Sequence, residues 1–181
     1  MKKIALAAGL ATAVAGTASA DVMVEFTNAT WSGFNFTDLT AANGGFSGTL
    51  TGVSVNVTLN ASTNWTYADD ICVYVDPAPL SMNGLLQVGG FSNLGALQRV
   101  FWANGGSSTV GTTCIDFQAV NPIVFSGSSA DPIIYLGNGY GYSATSGTWT
   151  GSITLHGVNA VPAPGAIALV GLAGLAGRRR R

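Results

Sequence analysis

The chain predicts an all-β fold, a single β-sandwich of jelly-roll type, and three observations carry that expectation. Val53-Ser54-Val55-Asn56-Val57-Thr58-Leu59-Asn60 alternates apolar and polar residues without a break. A period of two sets one strand face on a core and the other toward water. Between residues 21 and 160, Gly, Ser, Thr and Asn fill the polar positions and long charged side chains are nearly missing, a composition poor for helix and suited to strands and turns. Turn clusters at Asn43-Gly44-Gly45, Asn104-Gly105-Gly106, Gly127-Ser128-Ser129 and Gly137-Asn138-Gly139 cut the chain into short pieces. Many short strands with no helical stretch fit two sheets packed face to face.

The elements follow in order. Strands are expected at 22–27, 33–37, 53–60, 71–76, 85–88, 98–103, 113–118, 123–126 and 133–136. The last, at 148–156, sets Trp149, Ile153 and Leu155 against Thr148, Thr150, Ser152, Thr154 and His156. Gly151 takes an inward slot. About 140 residues are enough for one domain with its own core.

Both ends read as addresses. Residues 1–20 have the parts of an export signal: Lys2 and Lys3, an apolar helical stretch from Ile4 to Gly16, then Ala18-Ser19-Ala20 ahead of a cut before Asp21. Secretory export machinery and signal peptidase are the implied partners. Residues 161–181 combine Pro162-Ala163-Pro164-Gly165, an apolar helix from Ala166 to Gly177, and Arg178, Arg179, Arg180 and Arg181. Twelve helical residues span about 18 Å against a hydrocarbon core of about 30 Å. Such a segment suits temporary membrane anchoring with the arginines on the cytoplasmic side.

This tail resembles the PEP-CTERM sorting signals of Gram-negative bacteria, with Ala163 where the family's motif carries Glu. The resemblance implies processing by an exosortase-like enzyme and delivery to the cell surface or exopolysaccharide matrix. A second resemblance lies in Leu50 to Leu59, Thr66 to Pro77 and Ser146 to Leu155, which look like pieces of the P-domain that follows subtilisin-like proteases, and implies a β jelly roll.

Without its two ends the chain keeps Arg99 alone against all eight acidic residues, a net charge near −7. One basic residue makes a poor nucleic-acid binder, because phosphate neutralisation drives that affinity. Cys72 and Cys114 are the two cysteines, and in an exported chain an even count predicts a disulfide.

Chemistry is sparse. His156 is the one histidine, so a Ser-His-Asp triad would have to use it. No Gly-x-Ser-x-Gly elbow is present, and the expectation is a solvated histidine at a sheet edge. Asp69, Asp70 and Asp76 cluster around one strand and form a candidate structural Ca²⁺ set. Asp69-Asp70 is also the best carboxylate pair for glycoside hydrolysis, although a turn there would leave both acids solvated. Trp65 and Tyr140 fall in loops and are the candidate sugar-stacking residues. These features predict an exported, non-catalytic structural protein of the cell surface or exopolysaccharide matrix. A carbohydrate-binding module at the same place is the first alternative, and a small carboxylate-based glycosidase the second.

Overall fold

The computed structural model describes residues 2–6, 21–77, 80, 81, 83–91, 95–141 and 144–161, with residues 2–6 described by backbone only. Its strands are β1 (Lys2–Leu6), β2 (Asp21–Ser32), β3 (Phe36–Asp38), β4 (Phe46–Thr63), β5 (Ile71–Asp76), β6 (Asn83–Gly89), β7 (Gly95–Val100), β8 (Thr113–Ser126), β9 (Ile133–Asn138) and β10 (Ser146–Ala160). They form two five-stranded sheets. Sheet A has the order β1-β2-β10-β4-β8 and sheet B the order β3-β9-β5-β6-β7. The all-β, two-sheet reading is therefore correct.

Alternation builds the core. Val53, Val55, Val57 and Leu59 of β4 and Trp149, Ile153 and Leu155 of β10 face inward from sheet A. Ile71, Val73 and Val75 of β5, with Leu86, Val88, Ile134 and Leu136, face them from sheet B. Sheet B is covered on its far side as well. There Cys72, Tyr74 and Tyr135 form a second buried cluster under Phe34, Phe36, Leu80 and Ile133. This is why β5 is buried along its whole length and shows no alternation.

Four expectations are corrected. A helix does occur: α1 (Leu39–Asn43) is capped by Asp38, whose Oδ1 accepts from the Ala41 N–H at 2.8 Å, and Asn43-Gly44-Gly45 is its left-handed exit. The strands expected at 113–118 and 123–126 are one strand, β8, which runs through Asn121-Pro122. A proline missing its N–H is tolerated there because β8 is the edge of sheet A. Residues 2–6, where the expected signal helix would begin, are extended, and β1 pairs parallel with the edge of β2, satisfying backbone groups a helix would leave open. Finally, Cys72 and Cys114 are free thiols. Cys72 belongs to the outer cluster of sheet B and Cys114 to the central core, so the β5 layer separates them. Each thiol donates to a backbone carbonyl instead, Cys72 to Val73 at 3.6 Å and Cys114 to Asn104 at 3.2 Å. Burial raises both, Cys114 to about 12, with Asp69 and Asp116 adding to it.

Ala18 and Ala20 of the expected cut site, and Pro162, Ala163, Pro164, Gly165 and Arg178 to Arg181 of the expected sorting tail, lie outside the described residues. Among the described residues no helix is long and apolar enough to cross a membrane.

Candidate functional site

One end of the sandwich gathers its connections around a short 3₁₀ turn, Ala68–Asp70. Backbone hydrogen bonds tie the neighbouring loops to it. Ala68 N–H donates to Ser107 O at 3.0 Å, Gly90 N–H to Asp69 O at 2.9 Å and Gly139 N–H to Asp70 O at 2.7 Å. Two core tryptophans brace it from below, Trp149 Nε1 donating to Ala68 O at 3.1 Å and Trp102 Nε1 to Ile71 O at 2.9 Å. Gly89 makes the second contact feasible. Its φ is +75°, and a Cβ there would lie 1.9 Å from Trp102 Nε1.

Over this hub lies a groove of about 270 Å³ lined by Asp69, Gly90, Phe91, Phe101 and Trp102. Phe91 and Phe101 are 47% and 44% exposed. Phe91 meets Tyr140 edge to face at 5.3 Å, and Arg99 lies 5.7 Å from the Phe101 ring centre. Burial raises the Asp69 carboxyl above its ordinary value. Asp70 turns away from the groove. It is buried, its Oδ2 accepts from the Tyr67 N–H at 2.7 Å, and burial pushes it up to about 7.

The sequence candidates separate here. Asp69 and Asp70 are not solvated turn acids, since one is part-buried and the other buried. Asp76 lies at the far end of β5, roughly 20 Å away for six extended residues, and its carboxylate accepts from Ser81 N–H and Oγ at 2.7 and 2.9 Å. The calcium set therefore does not assemble, and among the described residues no three acidic, His or Cys side chains converge on a metal position. Trp65 is 74% exposed on a turn whose Asn64 and Trp65 both have left-handed φ, +52° and +63°. Asn64 Nδ2 ties that turn to Ala144 O at 2.9 Å, on the loop that also carries Tyr140. Phe91 and Phe101 were not among the candidates. Their signal was position, each beside a glycine turn, Gly89-Gly90 and Asn104-Gly105-Gly106.

His156 departs most from expectation. It lies on β10, the middle strand of sheet A, and not at an edge. Its Nδ1 is 3.1 Å from Asp21 Oδ2, and its Nε2 is 2.7 Å from Ser54 Oγ. Asp21 Oδ1 also accepts from the Gly157 N–H at 3.1 Å.

The chain thus belongs to the class of all-β, two-sheet sandwiches with a loop-borne aromatic groove at one end. No protein-family model matches the chain, and no curated protein or solved structure does either.

Proposed function

We propose that this is an exported protein of the cell surface or extracellular matrix that attaches to exopolysaccharide through its loop end. In this reading the domain is a jelly roll. Residues 1–20 are removed before Asp21, and the tail is handled by an exosortase-like enzyme. The observation that carries the binding half is the groove itself, with two half-exposed phenyl rings flanking one carboxylate. Sugar rings stack their C–H faces on such rings, and a carboxylate accepts hydroxyl hydrogen bonds. Trp65, held out on a left-handed turn four residues from Asp69, extends the same display.

A glycosidase needs two carboxylates facing one substrate. Here Asp69 faces the groove while Asp70 holds its own backbone, an arrangement for binding rather than cleavage. The bare structural role gives no reason for four exposed rings at one end, namely Trp65, Tyr67, Phe91 and Phe101.

Mass spectrometry of the protein from its host tests the address half. An N-terminus at Asp21 and a chain ending near 162–165 are expected, and intact Arg178 to Arg181 would contradict tail processing. Co-sedimentation with the host's exopolysaccharide tests the binding half. Retention of the wild type and loss with Asp69→Asn are expected, and equal retention of both would contradict it.

A further inference from the structure

The outer face of sheet A carries a second arrangement that the binding reading does not use. Register places it. Asp21, His156 and Gly52 lie in one row across β2, β10 and β4, and Thr154, Ser54 and Phe117 lie in the next row across β10, β4 and β8. Ser54 and His156 are diagonal neighbours across a position that has no side chain. A Cβ at Gly52 would come within 2.6 Å of the Phe117 ring. Glycine there lets that ring lie flat and meet the imidazole edge to face at 5.3 Å. The imidazole is thus held on three sides, by Asp21 at Nδ1, Ser54 at Nε2 and Phe117 against the ring.

We infer that Ser54 is a nucleophile activated by the His156–Asp21 pair, acting on unhindered acyl esters, the acetyl esters of sugar hydroxyls being the chemical class that suits this face. A carboxylate on Nδ1 fixes the tautomer that leaves Nε2 free to accept the serine proton. Hydrogen-bonded contact from serine to base to orienting acid is the geometry nucleophilic catalysis requires. The substrate has room beside it. The next rows of the face form an open groove of about 430 Å³ in which hydroxyls, the Asn56 amide and the Glu25 carboxylate stand beside Phe26 and Gly151. That lining hydrogen-bonds sugar hydroxyls, and nothing deep enough to hold a long acyl chain is present in it.

The reaction balances without a cofactor. Ser54 Oγ attacks the ester carbonyl carbon and its proton passes to His156 Nε2. The ester C–O bond breaks, the leaving sugar oxygen takes that proton, and the acyl group stays on Ser54. Water then attacks the acyl-serine carbonyl carbon and gives a proton to His156, which passes it to Ser54 Oγ as the acyl–Oγ bond breaks, releasing acetic acid and restoring Ser54 and His156. Backbone amides beside Ser54 are engaged in the two ladders of β4. Charge on the carbonyl oxygen therefore falls to side-chain donors, and Asn56, two residues on, is exposed on the same face. Each missing oxyanion donor costs about 10²–10³ in rate, so activated esters react before ordinary ones.

Treating the purified full chain with a fluorophosphonate probe, then mapping the adduct by peptide mass spectrometry, tests this. Labelling concentrated on Ser54 is expected, lost in Ser54→Ala and slowed about 100-fold in His156→Gln, the scale of general-base assistance. Acetyl transfer from p-nitrophenyl acetate to the same residue is expected as well. Folded wild-type protein that leaves Ser54 unlabelled, or labels Ser54, Ser62 and Ser152 alike, overturns the inference without any variant having to fold. An unchanged rate in a folded His156→Gln overturns it too. The probe needs no polysaccharide, so this failure is distinct from failure of the groove to bind.

Discussion

At the loop end, connecting segments meet through backbone hydrogen bonds and leave rings and one carboxylate to face solvent. On the outer face of sheet A the backbone is consumed by ladder pairing, and only side chains remain for chemistry. The first region has flat apolar surface and, in the function proposed, holds a ligand. The second has an ordered proton path and is built, on the inference above, to act on one. The difference teaches that loops supply shape here, whereas register supplies alignment. A diagonal pair such as Ser54 and His156 exists only because β4 and β10 keep one register from Trp149 to His156, between the two shifts in their pairing.

Trp149 underlies both regions. Its ring is fully buried, its Nε1 holds the Ala68 carbonyl, and its strand carries His156. Trp149→Ala is expected to lose about 3–5 kcal/mol in denaturant unfolding, as large-to-small core changes do, and to impair both regions together. Loss confined to the loop end would show that the two are less connected than drawn.

Acidity separates them. Burial first, the opposing Tyr67 amide second and the nearby Asp69 charge third set Asp70 at about 7, above its ordinary 3.8. A raised carboxyl favours the folded state in its protonated form. That contribution is full below about pH 4 and is lost as pH rises through about 7. Asp70→Asn is neutral and keeps an oxygen for the Tyr67 N–H. It is expected to raise the thermal midpoint at pH 8 by the equivalent of a few kcal/mol (on the order of 1.4 per pKa unit) and to change it little at pH 4. The reverse ordering would contradict the burial of this carboxyl.

The β8 edge of sheet A gives a smaller effect. Asn104 mimics a neighbouring strand, its Oδ1 accepting from the Ile115 N–H at 2.9 Å and its Nδ2 donating to Ile115 O at 2.7 Å. Asn104→Ala is expected to cost about 1–2 kcal/mol. It should also promote self-association through β8, where Ile115, Phe117 and Val124 are exposed. Unchanged light scattering would show that the edge is guarded elsewhere. The smallest effect is on the thiols. Cys72 and Cys114 are expected to resist a thiol reagent in the folded protein and to react after unfolding without reductant. A mass two hydrogens lower would show a disulfide.

Much of the fold was legible because it rests on local patterns. The alternation in 53–60 and 148–156 located β4 and β10, and glycine clusters located most turns. β5 lies where a strand is expected, at 71–76, but its two-sided burial depends on what covers sheet B, which no local pattern records. That is also why Cys72 and Cys114, each correctly placed in a strand, were paired wrongly: strand membership says nothing about which face a thiol takes relative to another sheet. The aromatic end was half legible. Trp65 and Tyr140 stood in recognisable loops, while Phe91 and Phe101 became neighbours only through the Gly90, Asp69 and Gly139 hydrogen bonds. His156 lies 135 residues after Asp21 and 102 after Ser54, and only strand order brings the three together.

The central claim is that the loop end holds polysaccharide by its rings. The most direct measurement is the affinity of the purified protein for its host's exopolysaccharide, compared between wild type, Phe91→Ala/Phe101→Ala, and Leu97→Ala, which removes an exposed side chain on β7 away from the groove. The account predicts wild-type affinity for Leu97→Ala and a loss of roughly tenfold per ring for the double variant, at about 1.4 kcal/mol each. Binding by the double variant at wild-type strength, or equal losses in both variants, would contradict it.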